Sequence, residues 1–296
     1  MREEIKKIQD LMESADYVTD RAIATAVHLA MSLRKPLLIE GHAGVGKTEV
    51  AKVMARMLDT RLIRLQCYEG LDANQALYEW NYPKQILHIK LEESTDHSVE
   101  HKEAAIFSEP FLIRRPLLQA ISQNGEPPVL LVDECDRADL EFESFLLEVL
   151  SDFQVTIPEL GTIKATDPPY VILTSNRTRE LSDALRRRCL YLWIDFPGFE
   201  KEVRIVTRKI PGVNERLAKE VTRFMETLRT VRLSKVPGVA ETLDWAQALV
   251  SLHADHLDED LVAETLGCVL KDPDDIRRVK RQLETEGMKR FLALES

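Results

Sequence analysis

The stretch PLLIEGHAGVGKT, residues 36–48, decides the fold of this 296-residue chain. Its first half is a short apolar run that predicts a buried strand, and its second half matches the pattern G-x-x-x-x-G-K-[ST]. The residues that follow, TEVAKVMARML (48–58), have the apolar spacing that is typical of a helix. Glycines in such a loop let the backbone wrap closely around a polyphosphate, and the positive end of the helix favours the same anion. The stretch therefore predicts a strand, a phosphate-binding loop and a helix, in that order.

Two side chains of this loop add chemistry to its backbone. The ammonium group of Lys47 is placed to reach the β- and γ-phosphates of a nucleotide, and the hydroxyl of Thr48 is placed to ligate Mg²⁺. We therefore expect the whole loop to line a nucleotide. The loop residues with this predicted role are Gly41, His42, Ala43, Gly44, Val45, Gly46, Lys47, Thr48 and Glu49.

Two later apolar runs end in polar residues that suit the same chemistry. In LLVDE (130–134), Asp133 emerges at the end of a predicted strand, where it can hold the shell of the Mg²⁺ ion. Glu134 follows it and is placed to polarise a water molecule for attack on the γ-phosphate. In LTSN (173–176), the amide of Asn176 can orient that water. This set of residues favours hydrolysis over transfer of the phosphoryl group to an alcohol.

Composition and charge exclude several classes of protein. Hydrophobic residues make up 44% and charged residues 30% of the chain, as expected of a globular protein. No apolar run approaches the length of a membrane helix, and the start MREEIKKIQD lacks the apolar core of a signal peptide. The net charge of −10 argues against a general nucleic-acid binder, and the four widely spaced cysteines fit a reducing compartment. We therefore expect a cytoplasmic protein with no transmembrane segment and no nucleic-acid partner.

The order of apolar runs predicts an α/β domain followed by an all-helical domain. Strand-like runs alternate with helical segments up to about residue 196, which indicates a parallel sheet covered on both faces. From Pro197 onward the sequence contains successive helical segments separated by PG and DP breaks. We expect a nucleotide-binding domain over 1–196 and a helical domain over 197–296.

Residues 67–106 form an insertion that is longer than a usual connection between strands. It has an acidic excess and four aromatic residues close together. The aromatic residues are Tyr68, Tyr78, Trp80 and Tyr82. The sequence leaves open whether the segment is packed as core or forms a contact surface. Within it, His97 and His101 have helical spacing but lack a third ligand, so we favour a solvated surface over a metal site.

Together these features resemble the AAA+ ATPases, and in particular their MoxR group. The likeness rests on GHAGVGKT, on DECDRADLEFESFLLEVLSDFQVTIPELGT (133–162), on LTSN, and on ALRRRC (184–189) ahead of a predicted strand. Within the group, the chain is most similar to the CoxD-type ATPases associated with carbon monoxide dehydrogenase maturation. The resemblance implies a P-loop AAA+ domain with a parallel sheet, a C-terminal helical lid and assembly as a hexameric ring.

The resemblance also assigns roles to single residues, with ATP and Mg²⁺ as cofactors. The catalytic positions that match are Lys47, Glu134, Asn176 and Arg188, and the metal positions are Thr48 and Asp133. Arg188 falls where the family has the arginine finger that completes the site of a neighbouring copy. Tyr17 and Val18 match the stretch that walls the adenine. The lid departs from the pattern, because Glu241 or Thr242 stands where a sensor-2 arginine is common.

The resemblance implies a client metalloenzyme and a partner with a von Willebrand A-type domain. Two alternatives stay open. A DNA-acting relative of clamp loaders or helicase loaders is disfavoured by the net charge of −10. A scaffold that binds ATP without hydrolysing it is disfavoured by Glu134, although the missing sensor-2 arginine gives it some support.

Two remaining features are expected to have no catalytic role. Cys135 has no nearby base and is expected to be a small buried side chain. The basic stretch RRVKRQ (277–282) is expected to be a solvated or subunit-facing stripe.

Overall fold

The computed structural model describes residues 2–91, 105–123 and 125–292. They form two compact units, each built from separate stretches of the chain. The sheet unit comprises Met1–Ile8, Arg21–Glu40 and Ala51–Leu192, and the helical unit comprises Gln9–Asp20, Gly41–Val50 and Trp193–Ser296. The expected division into domains 1–196 and 197–296 stays a prediction.

Helices and strands alternate through the first part of the chain and helices fill the last part. The described helices are α1 (Arg2–Ser14), α2 (Arg21–Leu33), α3 (Lys47–Met57), α4 (Ala73–Leu77), α5 (Tyr82–Leu91), α6 (Pro116–Ile121), α7 (Leu140–Asp152), α8 (Asp183–Arg188), α9 (Phe199–Lys209), α10 (Glu215–Thr230), α11 (Val239–Ser251), α12 (Glu259–Val269) and α13 (Pro273–Leu292). The described strands are β1 (Leu37–Gly41), β2 (Leu62–Gln66), β3 (Tyr78–Trp80), β4 (Leu112–Arg114), β5 (Val129–Asp133), β6 (Gln154–Ile157), β7 (Gly161–Lys164), β8 (Tyr170–Ser175) and β9 (Leu190–Ile194).

Five strands form one sheet in the order β2-β5-β8-β1-β9. The pairs β2–β5, β5–β8 and β8–β1 are parallel, which confirms the predicted parallel sheet. Every residue of β1 and β5 is buried, as expected of strands covered on both faces. The register places Gln66 opposite Asp133 and Glu40 opposite Ser175. Because the strands are parallel, the polar residues at their carboxyl ends gather at one edge of the sheet.

The described part of the insertion is divided between core and surface. Trp80 is buried and makes an edge contact with Phe107, with ring centroids 5.3 Å apart, so it belongs to the core of the sheet unit. Helix α5 instead turns Gln85 and His88 inward and leaves large apolar side chains exposed. These are Tyr82, Ile86, Leu87, Ile89 and Leu91. Residues 92–104, with His97 and His101, lie outside the described residues.

The helical unit has a core of its own, built from the inward faces of α9–α13. Its amphipathic helices α9 and α10 present Val206, Leu217 and Phe224 to this core, where each is fully buried. A buried ion pair joins the same helices, because Arg229 donates to both carboxylate oxygens of Glu202, at 2.6 and 2.7 Å.

Within the part of the chain that the structure describes, we find no helix with the length and apolarity required to cross a bilayer.

Candidate active site

The phosphate loop lies in the helical unit and leads from β1 into α3. Gly44 and Gly46 have φ angles of 76° and 95°, in the left-handed region that favours glycine. A Cβ at Gly41 would collide with the carbonyl oxygen of Ile194. Each glycine of the motif therefore has a local structural reason.

Lys47 is the first residue of α3, and its buried side chain turns back over the loop. Its ammonium group donates hydrogen bonds to the carbonyl oxygens of Gly41 and His42, at 2.8 and 2.7 Å. The carbonyl oxygens of the loop thus hold the ammonium group of Lys47 next to the loop, which is the predicted binding site of the nucleotide phosphates. Thr48 follows in the first turn and is half-buried.

The other loop residues have mixed surroundings within the helical unit. His42 stacks on Phe196, with 4.7 Å between the ring centroids. Val45 is buried, Ala43 is exposed, and Glu49 lies 3.9 Å from the ammonium group of Lys209. Of these residues, Glu49 adds a negative charge beside the loop, and that charge is paired with Lys209.

The start of α11 packs closely against the loop. The amide of Ala240 donates to the carbonyl oxygen of Gly44 at 3.1 Å. A Cβ at Gly238 would lie 2.5 Å from the carbonyl oxygen of Ala43, so only glycine permits this approach. Glu241, at the expected sensor-2 position, accepts from the amide of Gly238 at 2.8 Å and caps the helix. The sequence showed here the PG break and the absence of a sensor-2 arginine, but not the contact of this segment with the phosphate loop.

Tyr17 and Val18, the predicted adenine wall, are both buried in the helical unit. Burial raises the pKa of the Tyr17 phenol above its usual value, and the nearby carboxylates of Asp20 and Glu49 raise it further. The phenol is therefore neutral at physiological pH. The pair offers an apolar surface rather than a charged one.

Asp133 lies at the carboxyl end of β5, and only 3% of its side chain is exposed. Its Oδ1 accepts from the hydroxyl of Thr174 at 2.6 Å. Its Oδ2 accepts from Nε and a terminal nitrogen of Arg64, at 3.0 and 2.6 Å. Sequence reasoning found Asp133 but assigned no role to either partner: Thr174 lies within LTSN, where only Asn176 was singled out, and Arg64 is brought to Asp133 by the sheet register.

Glu134 has a left-handed backbone conformation, with φ of 54° and ψ of 47°. Such a conformation is unusual for a residue other than glycine and is concentrated at functional sites. Its amide donates to the Thr174 hydroxyl at 2.9 Å. Its Oε2 accepts from Gln66 at 3.2 Å and pairs with Arg137 at 2.9 Å. The carboxylate is thus fixed, and with 33% of the side chain exposed it stays accessible to water.

Asn176 follows β8 and is positioned through its backbone by Asp136, a third carboxylate that sequence reasoning missed. The buried Asp136 Oδ2 accepts from the amides of Asn176 and Thr178, at 3.2 and 2.8 Å. It also accepts from the Thr178 hydroxyl at 2.8 Å. The repeated acidic residues of DECDRAD were the available signal. The turn after β8 is therefore tied to the turn after β5.

The three arginines that end α8 point to different surroundings. Arg188 donates to the carbonyl oxygen of Leu147 at 2.7 Å and to the hydroxyl of Ser151, both in the last turns of α7. Arg186 lies over the ring of Tyr191, 5.9 Å from its centroid. Arg187 is exposed and forms no ion pair with the residues that the structure describes. In this chain the predicted finger therefore contacts its own helix α7.

The available donors fit magnesium. The predicted ligands, the Thr48 hydroxyl and the Asp133 carboxylate, are hard oxygen donors, and Mg²⁺ is usually held by one or two carboxylates together with substrate phosphates. No cluster of three or more histidine, cysteine or acidic residues suited to a metal occurs among the described residues. Cys135 is poorly suited to act as a nucleophile, because burial raises the pKa of its thiol well above the ordinary value and the thiol donates to the Thr174 carbonyl oxygen.

Comparison with known proteins identifies relatives over most of the chain. An uncharacterized protein of Staphylococcus aureus strain NCTC 8325 is 24% identical over 241 residues, which are 79% of this chain and 82% of that protein. The solved structure of a candidate ATPase from Cytophaga hutchinsonii covers 98% of this chain and 94% of its own, at 16% identity and a TM-score of 0.51. It therefore shares the fold. A mutant of Thermotoga maritima RuvB covers 98% of this chain and 83% of its own, at 17% identity and a TM-score of 0.49.

A family match covers the phosphate loop, the acidic pair and the arginines together. The family described as AAA domain (dynein-related subfamily) matches residues 36–189 of the 296, which is more than half of the chain. Members of this family bind ATP with Mg²⁺ and hydrolyse the nucleotide. The chain therefore belongs to the AAA+ ATPases, as a member of the AAA domain (dynein-related subfamily) family.

Proposed function

We propose that this AAA+ ATPase is of the MoxR type and uses ATP hydrolysis, in a cytoplasmic hexameric ring, to remodel a client protein. The segment DECDRADLEFESFLLEVLSDFQVTIPELGT supports the MoxR assignment. The closer likeness to CoxD-type ATPases supports a client metalloenzyme, carbon monoxide dehydrogenase, whose metal centre is matured. A partner with a von Willebrand A-type domain belongs to the same proposal, as does the division into a nucleotide domain over 1–196 and a lid over 197–296.

The proposed mechanism gives each polar residue one task. Lys47 and the loop amides bind the phosphates, and Thr48 and Asp133 hold the Mg²⁺, which neutralises phosphate charge when bound. Glu134 accepts the proton of the attacking water, and Asn176 orients that water. The observation that carries the hydrolytic assignment is Glu134, whose carboxylate is fixed at the end of β5 and still accessible to water.

Arg188 has its proposed task in a neighbouring copy, where it stabilises the charge that develops on the γ-phosphate. Such a finger contributes roughly 10³–10⁵ in rate in other P-loop systems. In a free chain its guanidinium contacts the end of α7. We propose that assembly moves it from this contact to the neighbouring nucleotide, so activity depends on oligomerisation.

Chains that carry different single substitutions test this mechanism. Glu134→Gln keeps the shape of the side chain but removes its basicity, and we expect turnover to fall by about 10²-fold or more. Arg188→Ala should be similarly inactive alone. Mixing the two variants should restore part of the activity, because an interface can then combine an intact Glu134 with an intact Arg188. Wild-type turnover in Glu134→Gln would contradict the role of Glu134, and absence of rescue at every mixing ratio would contradict the trans role of Arg188.

The exposed apolar side chains of α5 are the proposed client contact. They form two adjacent rows with helical spacing, Tyr82 with Ile86 and Ile89, and Leu87 with Leu91. Large apolar patches on soluble proteins often mark interaction sites. A remodelling enzyme needs such a surface, because clients expose apolar residues when their packing is incomplete.

A further inference from the structure

The partner of Asp133 that no motif marks is Arg64, in the edge strand β2. Gln66 is the register partner of Asp133, so their side chains share one face of the sheet. Side chains alternate along a strand, so Arg64, two residues earlier, lies on that face as well. This diagonal separation is within reach of a long side chain. The contact between Arg64 and Asp133 therefore follows from the register of β2 against β5.

The burial of the two partners is unequal. Only 3% of the Asp133 side chain is exposed, whereas 51% of the Arg64 side chain is exposed. A carboxylate this buried requires a positive partner or several donors to remain charged. The Thr174 hydroxyl supplies one neutral donor, and Arg64 supplies two N–H groups and a full positive charge. Arg64 is thus a counter-ion of Asp133.

We propose that Arg64 is a positioning residue that makes metal binding at Asp133 depend on nucleotide. The inference rests on the proposed role of Asp133 as a metal carboxylate. In the chain without nucleotide, the guanidinium already neutralises Asp133, so a divalent cation gains little there and is repelled by Arg64. Nucleotide phosphates bring the negative charge that lets both cations remain. Mg²⁺ therefore binds together with the nucleotide and not ahead of it.

Charge and geometry both favour this assignment over a purely structural role. The guanidinium lies on Oδ2 of the carboxylate that is proposed to hold the metal, so Arg64 and a divalent cation would compete for the same oxygen atom. Arg64 also donates to Gln66, and Gln66 donates to Glu134, so the same guanidinium is connected to both carboxylates of the acidic pair. Its half-exposed side chain has room to leave Asp133 without breaking core contacts.

The test uses electron paramagnetic resonance to measure the affinity of the nucleotide-free protein for Mn²⁺, which replaces Mg²⁺ as the probe. We expect weak binding to the wild type and about tenfold tighter binding to Arg64→Gln, a change of about 1.4 kcal/mol. Arg64→Lys keeps the charge but loses the two-nitrogen contact, so we expect a gain of about threefold. Circular dichroism establishes that each variant is folded, and Arg64→Lys decides the question if Arg64→Gln does not fold.

Two controls locate the effect. Arg61→Gln removes an exposed arginine next to the same strand and should leave Mn²⁺ affinity unchanged. Adding Asp133→Asn to Arg64→Gln should abolish the gain, because the carboxylate that attracts the metal is gone. Wild-type Mn²⁺ affinity in folded Arg64→Gln or Arg64→Lys, or a gain that survives Asp133→Asn, would overturn the proposal. The measurement needs no turnover, so its failure is distinct from a failure of the hydrolytic mechanism in Glu134→Gln.

Discussion

Replacing Gly238 by alanine should weaken nucleotide binding, although the substitution changes no charged residue. The backbone of Gly238 has φ of −90° and ψ of −172°, which alanine adopts freely, so the substitution causes no backbone strain. The new Cβ would instead meet the carbonyl oxygen of Ala43 at 2.5 Å and the Cα of Gly44 at 2.9 Å. The perturbation therefore acts only on the spacing between α11 and the phosphate loop.

The size of the effect follows from these distances. Ordinary Cβ contacts begin at 3.4 Å, so the loop and α11 must separate by 3.4 − 2.5 = 0.9 Å. The hydrogen bond from Ala240 to Gly44, now 3.1 Å, would lengthen to about 4.0 Å and be lost. A lost hydrogen bond costs about 0.5–1.5 kcal/mol, and relief of the overlap adds about 1 kcal/mol or more. A loss of about 2 kcal/mol from the ordered loop corresponds to about 30-fold weaker binding.

Titration with a fluorescent ADP analogue measures this effect, and thermal unfolding reports any general loss of stability. Gly267→Ala in α12 is the matched control, because its Cβ would meet no atom within 4 Å. That variant should bind ADP as the wild type does and should be slightly more stable, since alanine favours helix. If Gly238→Ala binds ADP within twofold of the wild type, the contact between α11 and the loop has no part in holding nucleotide.

Four further substitutions, taken in two pairs, have expected outcomes. Glu202→Ala removes the partner of the buried Arg229 and should lower the free energy of unfolding by about 3–5 kcal/mol in denaturant titrations. Glu215→Ala, in a solvent-exposed pair, should leave the free energy of unfolding nearly unchanged. Leu87→Ser, on the exposed face of α5, should preserve basal ATP turnover and thermal stability but reduce the client protein that co-purifies with the chain. Trp80→Ala should instead destabilise the protein by about 3–5 kcal/mol, because Trp80 is part of the core. If Leu87→Ser co-purifies with as much client protein as the wild type does, the proposed client surface is contradicted.

The parts of the site that the sequence predicts are those whose chemistry is contiguous along the chain. The phosphate loop, its lysine and the pair Asp133–Glu134 are local patterns next to apolar runs, and the alternation of those runs predicts the parallel sheet. Arg64 escaped prediction because its contact with Asp133 depends on how β2 aligns with β5. Gly238 escaped for a similar reason, since a PG pair indicates a break in any helix but not the close packing of α11 on a distant loop. Residues that act through tertiary register carry no signal in a single sequence.

The hydroxyl of Thr174 contacts both residues of the acidic pair, Asp133 and Glu134. It donates to the carboxylate of Asp133 and at the same time accepts from the amide of Glu134. Only a group that gives one hydrogen bond while receiving another can satisfy both, so among the side chains of similar size serine fits this position and valine does not. A single oxygen atom on β8 thereby links the position of Asp133, the proposed metal ligand, to that of Glu134, the proposed general base, so a shift of one side of the pair also disturbs the other.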